Sequence, residues 1–246
     1  MNEQPFQIQT VVRVRGLAKT FVLHNRGGAE LPVFSGLDMD VAAGECVVLA
    51  GPSGCGKSSL MRCLYGNYAP SGGTVELRHG QSWLDLSEAS PRQVIAVRRS
   101  TIGYVSQFLR VIPRVSTLEL VSEPLRRLGF SRALADDRAR QLLDRLALPE
   151  RLWHLPPSTF SGGEQQRVNV ARGLIAPRPV LLLDEPTASL DPRNRQTVVD
   201  LIGRARDDGA AIIGIFHDAE VRDAVATRSF DLGTCRPQRA PEEMAT

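Results

Sequence analysis

Eight consecutive residues, Gly51-Pro52-Ser53-Gly54-Cys55-Gly56-Lys57-Ser58, constrain this chain more than any others. They fit the pattern G-x-x-x-x-G-K-[ST], and their surroundings suit it. The apolar run Cys46-Val47-Val48-Leu49-Ala50 before them reads as a strand buried on both faces, and a helix is predicted over about 57–65. In that setting the glycines let backbone amides turn inward around phosphate oxygens, and the helix N-terminus adds positive potential. Lys57 reaches the terminal phosphates and Ser58 offers a hydroxyl to magnesium. Gly51 to Ser59 are therefore the expected nucleotide-binding stretch. Lys19 and Lys57 are the only lysines among 30 basic residues, so a chance match is improbable.

The rest of the chain suits a folded enzyme. Its 246 residues, 42% hydrophobic and 23% charged, match a soluble protein of one or two domains. No stretch reaches the roughly 18 to 20 apolar residues of a membrane span, and the first residues lack a signal-peptide pattern, so a cytoplasmic protein without direct membrane insertion is expected. A net charge of +3 is too small to argue for a nucleic-acid binder. Cys46, Cys55, Cys63 and Cys235 form no C-x-x-C pair, which weakens zinc and redox-motif readings.

Short β-rich stretches at 11–14, 22–23 and 33–34 precede the buried strand, and 74–79 with 82–86 predicts a hairpin around His79-Gly80-Gln81. Ser90-Pro91 starts a helix, and Ser116-Thr117-Leu118-Glu119 fits a capping box that opens a helical insert. Strands at 180–183, 211–216 and 230–232 then alternate with helices at 193–206 and 219–226, as in a largely parallel sheet. The expected fold class is α/β: a mostly parallel core sheet, an N-terminal antiparallel β region and a helical subdomain inserted at about 108–176. One domain over 1–235 and a flexible tail over 236–246 are predicted.

Val180-Leu181-Leu182-Leu183-Asp184-Glu185 ends an apolar strand in two adjacent carboxylates. Alone, the pair could be a strand-end turn into Pro186. Beside a phosphate loop, such a strand sets Asp184 near magnesium, and Glu185 can polarise a water for in-line attack on the γ-phosphorus. Phe160-Ser161-Gly162-Gly163-Glu164-Gln165-Gln166-Arg167, upstream of Asp184, resembles the signature of the ATP-binding-cassette (ABC) ATPases. Further marks follow that family's order. Gln107 resembles its Q-loop glutamine, Ala188-Ser189-Leu190-Asp191 its D-loop and His217 its switch histidine, while Phe21 stands where an aromatic stacks on adenine.

The resemblance implies an ABC-type phosphate-loop fold that hydrolyses ATP with Mg2+. It assigns catalysis to Glu185, His217 and Gln107, and magnesium to Ser58, Gln107 and Asp184. It sets Ser161, Gly162, Gly163 and Asp191 toward nucleotide held by a second protomer. The working unit is then a homodimer, or a heterodimer with another cassette ATPase. Cys55, beside Lys57 and a helix start, is a candidate reactive thiol.

Three segments are more specific. Ser106 to Arg114, Glu150 to Thr159 and Gly214 to Asp218 resemble the L subunits of the bacterial carbon-phosphorus lyase system. That likeness implies a non-transporting ATPase of phosphonate catabolism, accessory to the synthesis of a ribose phosphonate triphosphate and partnered with the lyase core complex. The alternative is the nucleotide-binding subunit of an exporter of the lipoprotein-releasing or macrolide type. A third reading is a module that binds nucleotide without hydrolysis. Arg110 and Arg114, in the segment where transporter cassettes receive the permease's coupling helix, suit partner docking.

Overall fold

The fold was obtained as a computed structural model, which describes residues 9–24, 27–109, 111 and 113–235. The predicted tail at 236–246 and Arg110 lie outside the described residues. Two sheets organise the chain. The first is antiparallel and contains β1 (Thr10–Leu23), β2 (Ala29–Ala42), β4 (Gly72–His79) and β5 (Ser82–Asp85), in the order β2-β1-β4-β5. The second is wholly parallel and contains β3 (Cys46–Ala50), β6 (Ile102–Val105), β7 (Val180–Asp184), β8 (Ala211–Ile215) and β9 (Arg228–Asp231), in the order β6-β7-β8-β3-β9. This is the α/β architecture expected from the alternation of strands and helices.

The short β stretches near the N-terminus prove to be two long strands, 14 residues each, interrupted by bulges rather than by turns. Register slips around Leu17, where Gly16 takes a φ of 54°, bend the ribbon without ending it. Close approach of β4 fixes another glycine: a Cβ on Gly73 would lie 2.4 Å from the carbonyl oxygens of Arg15 and Gly16. At the other edge, β9 spans Arg228–Asp231, two residues earlier than the apolar pattern suggested. Exposed Arg228 and Ser229 pair only with β3, so burial left no mark on their identity.

The helices are α1 (Lys57–Leu64), α2 (Pro91–Ser100), α3 (Thr117–Arg127), α4 (Arg132–Arg145), α5 (Gly162–Leu174), α6 (Pro192–Asp207) and α7 (Ala219–Val225). Two apolar cores meet back to back across the parallel sheet. Val47, Leu49, Leu182 and Ile213 point toward the antiparallel sheet and α1, joining Val14, Phe34, Leu37 and Leu60. Their strand neighbours Val48, Leu181, Leu183 and Ile212 point the opposite way, joining Val121 of α3, Leu143 of α4, Val168 of α5 and Val198 of α6. Alternation with a period of two fills both faces, which is why these strands read as unbroken apolar runs. Each fully buried leucine or valine contributes about 1.5–3 kcal/mol. Gly51 to Ser59, Gln107, Asp184 to Asp191 and His217 all lie at or after the C-terminal ends of β3, β6, β7 and β8, whereas Phe21 lies in β1 and Ser161 to Gly163 open α5.

Candidate functional site

The loop after β3 is held by steric necessity. Gly51, Gly54 and Gly56 have φ of 128°, 76° and 103°. A Cβ on Gly51 would meet Cys55 Sγ at 2.8 Å, and one on Gly56 would meet Val33 at 2.6 Å. Gly56 caps α1 without a side-chain hydrogen bond, so the first amides of the helix have no side-chain acceptor at the cap. Lys57 Nζ donates to the carbonyls of Gly51 at 2.7 Å and Pro52 at 3.1 Å, which draws the ammonium across the loop. Pro52, Ser53, Gly54 and Ser58 are exposed at the mouth, whereas Cys55 is buried. The thiol packs against Gly51 inside the loop, so burial works against access to this candidate reactive thiol.

At the end of β7 the two carboxylates part. Asp184 is 5% exposed; its Oδ2 accepts a hydrogen bond from Tyr104 Oη at 3.4 Å, and its buried Oδ1 has no partner. Burial, then the neighbouring charge of Glu185, pushes the Asp184 carboxyl above its ordinary value. Ser58, Gln107 and Asp184 line one cavity of about 620 Å³ between the parallel sheet and the helices. Three oxygen donors of this kind, one of them a buried carboxylate oxygen left unpaired, fit a hard divalent cation such as magnesium.

Glu185 faces elsewhere. Its φ of 53° lies in the left-handed region, unusual for a residue with a side chain, and its amide donates to Ile215 O at 3.0 Å. This turn carries its carboxylate to His217, with Nε2 and Oε1 2.8 Å apart. His217 follows β8 and is exposed. Ser189, in the same loop, is also left-handed with a φ of 61°. Such residues cost on the order of 1–3 kcal/mol each and persist only where their surroundings hold them.

The serine-glycine segment begins α5. Ser161 is an N-cap within a full capping box: Glu164 N donates to its hydroxyl, and Ser161 N donates to Glu164 Oε2 at 2.9 Å. Donation to Glu164 Oε2 from Ser161 N, and from the Ser161 hydroxyl at 2.8 Å, holds the Glu164 carboxyl below its ordinary value. Asp191 similarly caps α6, accepting from Asn194 N at 3.0 Å and Asn194 Nδ2 at 2.6 Å, and its carboxyl is lowered too. Ser161 and Gly162 are exposed, and neither they, Gly163, Asp191, His217 nor Phe21 line the cavity that unites Ser58, Gln107 and Asp184. Phe21 packs edge-on against Tyr68 with ring centroids 5.3 Å apart, under the Lys19 ammonium at 4.8 Å.

Sequence reasoning missed three side chains that shape this region: Tyr104 on Asp184, and Gln166 and Asn169 of α5, both buried. A polar pair spaced three apart on an otherwise apolar helical face was the available signal for the last two. It also missed the character of the cavity wall, where Arg62, Arg98, Arg99, Arg127, Arg172 and Arg178 gather beside two exposed apolar side chains, Phe108 at 76% and Ile95 at 63%. Arg114 is described and is left-handed with a φ of 63°, but does not line this cavity.

Residues 34–188 match the family model described as ABC transporter. The chain is 43% identical over 213 residues to the lipoprotein-releasing system ATP-binding protein LolD 2 of Caulobacter vibrioides, covering 86% of this chain and 90% of that one. It is 38% identical over 195 residues to an uncharacterized ABC transporter ATP-binding protein of Mycobacterium tuberculosis, covering 79% of this chain; it spans only 58% of that relative's length. Among solved structures, the dimeric bacterial ABC transporter cassette MJ0796 superposes with a TM-score of 0.79 at 27% identity, over 90% of this chain and 95% of that one. On the family match and these identities, the chain belongs to the ABC transporter family, as one of its ATP-binding cassettes.

Proposed function

We propose that this chain is an ATP-hydrolysing cassette that acts as a dimer and drives a partner of the lipoprotein-releasing permease type. One observation carries the hydrolytic reading. The buried, unpaired Asp184 oxygen shares a cavity with Ser58 and Gln107, and the next residue, Glu185, meets His217 at 2.8 Å. Gly51 to Ser59 cradle the phosphates with backbone amides, and Lys57 exchanges its two loop carbonyls for phosphate oxygens. Ser58, Gln107 and Asp184 would hold magnesium, which neutralises phosphate charge when bound. Glu185 polarises the attacking water, His217 orients that carboxylate and faces the γ-phosphate, and Phe21 offers a ring to adenine. Ser161, Gly162, Gly163 and Asp191 serve nucleotide held by a second protomer, a reading supported by the dimeric structure of MJ0796 and by its dimeric post-hydrolysis state bound to ADP and Pi.

For the partner, the names of the curated relatives back the exporter-type alternative better than the phosphonate reading that the sequence put first. A second lipoprotein-releasing ATP-binding protein, from Maricaulis maris, is 42% identical over 89% of its length. The arginine-rich cavity with exposed Phe108 and Ile95 suits an amphipathic, acidic segment of such a permease. In this reading the subunit docks on the permease from the cytoplasmic side; no helix among the described residues is long and apolar enough to cross a membrane. The phosphonate reading stays as the second because of the specific segments around Gln107, before Ser161 and after β8. Affinity purification from cells grown with and without a phosphonate separates the two. Co-purification of a membrane permease under both conditions supports the first; recovery of soluble lyase subunits instead overturns it in favour of the second.

A further inference from the structure

We propose that α5 is the positioning element of the catalytic centre, with Gln166 holding Glu185, and Asn169 holding Gln107, through backbone carbonyls beside them. The proposal rests on ATP hydrolysis by Glu185 as read above. Gly163, Gln166 and Asn169 recur every three residues, so they form one stripe along α5. Both amides are 5% exposed, and a buried amide is costly unless bonded. Gln166 Nε2 donates to Glu185 O at 3.1 Å and to Pro186 O at 3.0 Å. Asn169 Nδ2 donates to Ser106 O, one residue before Gln107. At the head of the stripe, a Cβ on Gly163 would lie 2.9 Å from Ser189 O, so only glycine lets α5 approach that loop. The stripe therefore touches the loop leading to Asp191, the turn at Glu185 and the end of β6 in succession.

The need for such a support is visible in the backbone. The ladder between β7 and β8 ends at Asp184, so the next two carbonyls have lost their sheet partners just where the chain turns left-handed. Gln166 supplies donors to both, beside Ala188 N, which donates to Glu185 O at 3.2 Å. Without Gln166, Pro186 O loses that donor and the Glu185 turn keeps only its bonds to Ile215 O and Ala188 N, so the left-handed backbone that aims the carboxylate at His217 is held less firmly. Neither amide meets the reacting groups, so both act through the backbone. The same helix begins with the serine-glycine segment assigned to nucleotide on the opposite protomer. Its 13 residues thus link one nucleotide to the carboxylate that serves the other.

The test uses the full chain with MgATP, comparing turnover with the affinity for a fluorescent ATP analogue in Gln166→Met, Gln166→Glu, Asn169→Ala and Glu185→Gln. Gln166→Met should lower kcat by about ten- to a hundredfold, the cost of a small misplacement, with nucleotide affinity within about twofold of wild type. Asn169→Ala should lower kcat by less. In Gln166→Glu the carboxyl can donate to one of the two carbonyls, and only when protonated, so its kcat relative to wild type should climb as the pH falls from about 8 to 6. A role in packing alone leaves that ratio flat. Wild-type kcat in Gln166→Met, or a flat ratio in Gln166→Glu, overturns the proposal; if Gln166→Met does not fold, the pH series decides. Full turnover in Glu185→Gln overturns the assignment of the base and the proposal with it. Loss of turnover in Glu185→Gln beside full turnover in Gln166→Met removes the proposal alone.

Discussion

At the C-terminal end of β7, Glu185 meets His217 and Asp184 shares a cavity with Ser58 and Gln107, so this half of the site is assembled within one chain. The other half, Ser161 to Gly163 with Asp191, turns its polar side chains to capping its own helices and leaves its backbone facing outward. The two halves also carry opposite electrostatic marks. Asp184 is raised by burial, whereas Glu164 and Asp191 are lowered by the amides they cap. A half that stores an uncompensated buried carboxylate is built to take up a cation. A half whose side chains are already satisfied is built to offer amides to something brought from outside.

Breaking the first half at its reacting group should give the largest effect. Glu185→Gln should lower ATP turnover by about 10²- to 10⁴-fold while nucleotide still binds, as steady-state hydrolysis and equilibrium titration would show. Next comes Lys57→Ala, which removes a charge-assisted contact worth about 1.5–3 kcal/mol and should weaken ATP binding by roughly ten- to a hundredfold. Unchanged affinity in that variant would remove the loop from the binding site.

Smaller effects separate the halves by stability. A carboxyl raised on folding favours the folded state most when protonated, and that contribution is lost as pH rises through the raised value. Asp184→Asn should therefore increase the melting temperature without nucleotide at neutral pH by about 2–4 °C for each kcal/mol recovered, and the gain should shrink as pH falls toward 4. For Glu164 and Asp191 the sign reverses. Their contributions are present above the unfolded values of 4.5 and 3.8 and fade as pH drops through the lowered ones. Ser161→Ala should cost about 1 kcal/mol through the lost cap, read as a lower melting temperature with ATP affinity at the phosphate loop of the isolated protomer unchanged.

The same contrast explains what could be read from the residues alone. The glycine-rich loop, the paired carboxylates and the capping boxes are contiguous in sequence, and local backbone chemistry dictates their shapes, so their elements fell within a residue or two of the observed bounds. Features assembled from distant segments left no such trace. Arg62, Arg98, Arg99, Arg127, Arg172 and Arg178 come from four helices and a loop, and only the fold gathers these six arginines into one wall. Tyr104 and Gln166 acquire meaning from Asp184 and Glu185, some 80 and 19 residues away. For Cys55 the sequence neighbours suggested reactivity, whereas packing against Gly51 works against its access. The bulged strands β1 and β2 read as fragments because each bulge inverts the alternation that marks a strand.

Sedimentation velocity of the Glu185→Gln chain with saturating MgATP tests the central claim, a nucleotide shared between the phosphate loop of one copy and the Ser161 cap of another. A species of twice 26.9 kDa that forms with MgATP, and fails to form with Lys57→Ala added, is the predicted result. A monomer that persists with nucleotide demonstrably bound would contradict it.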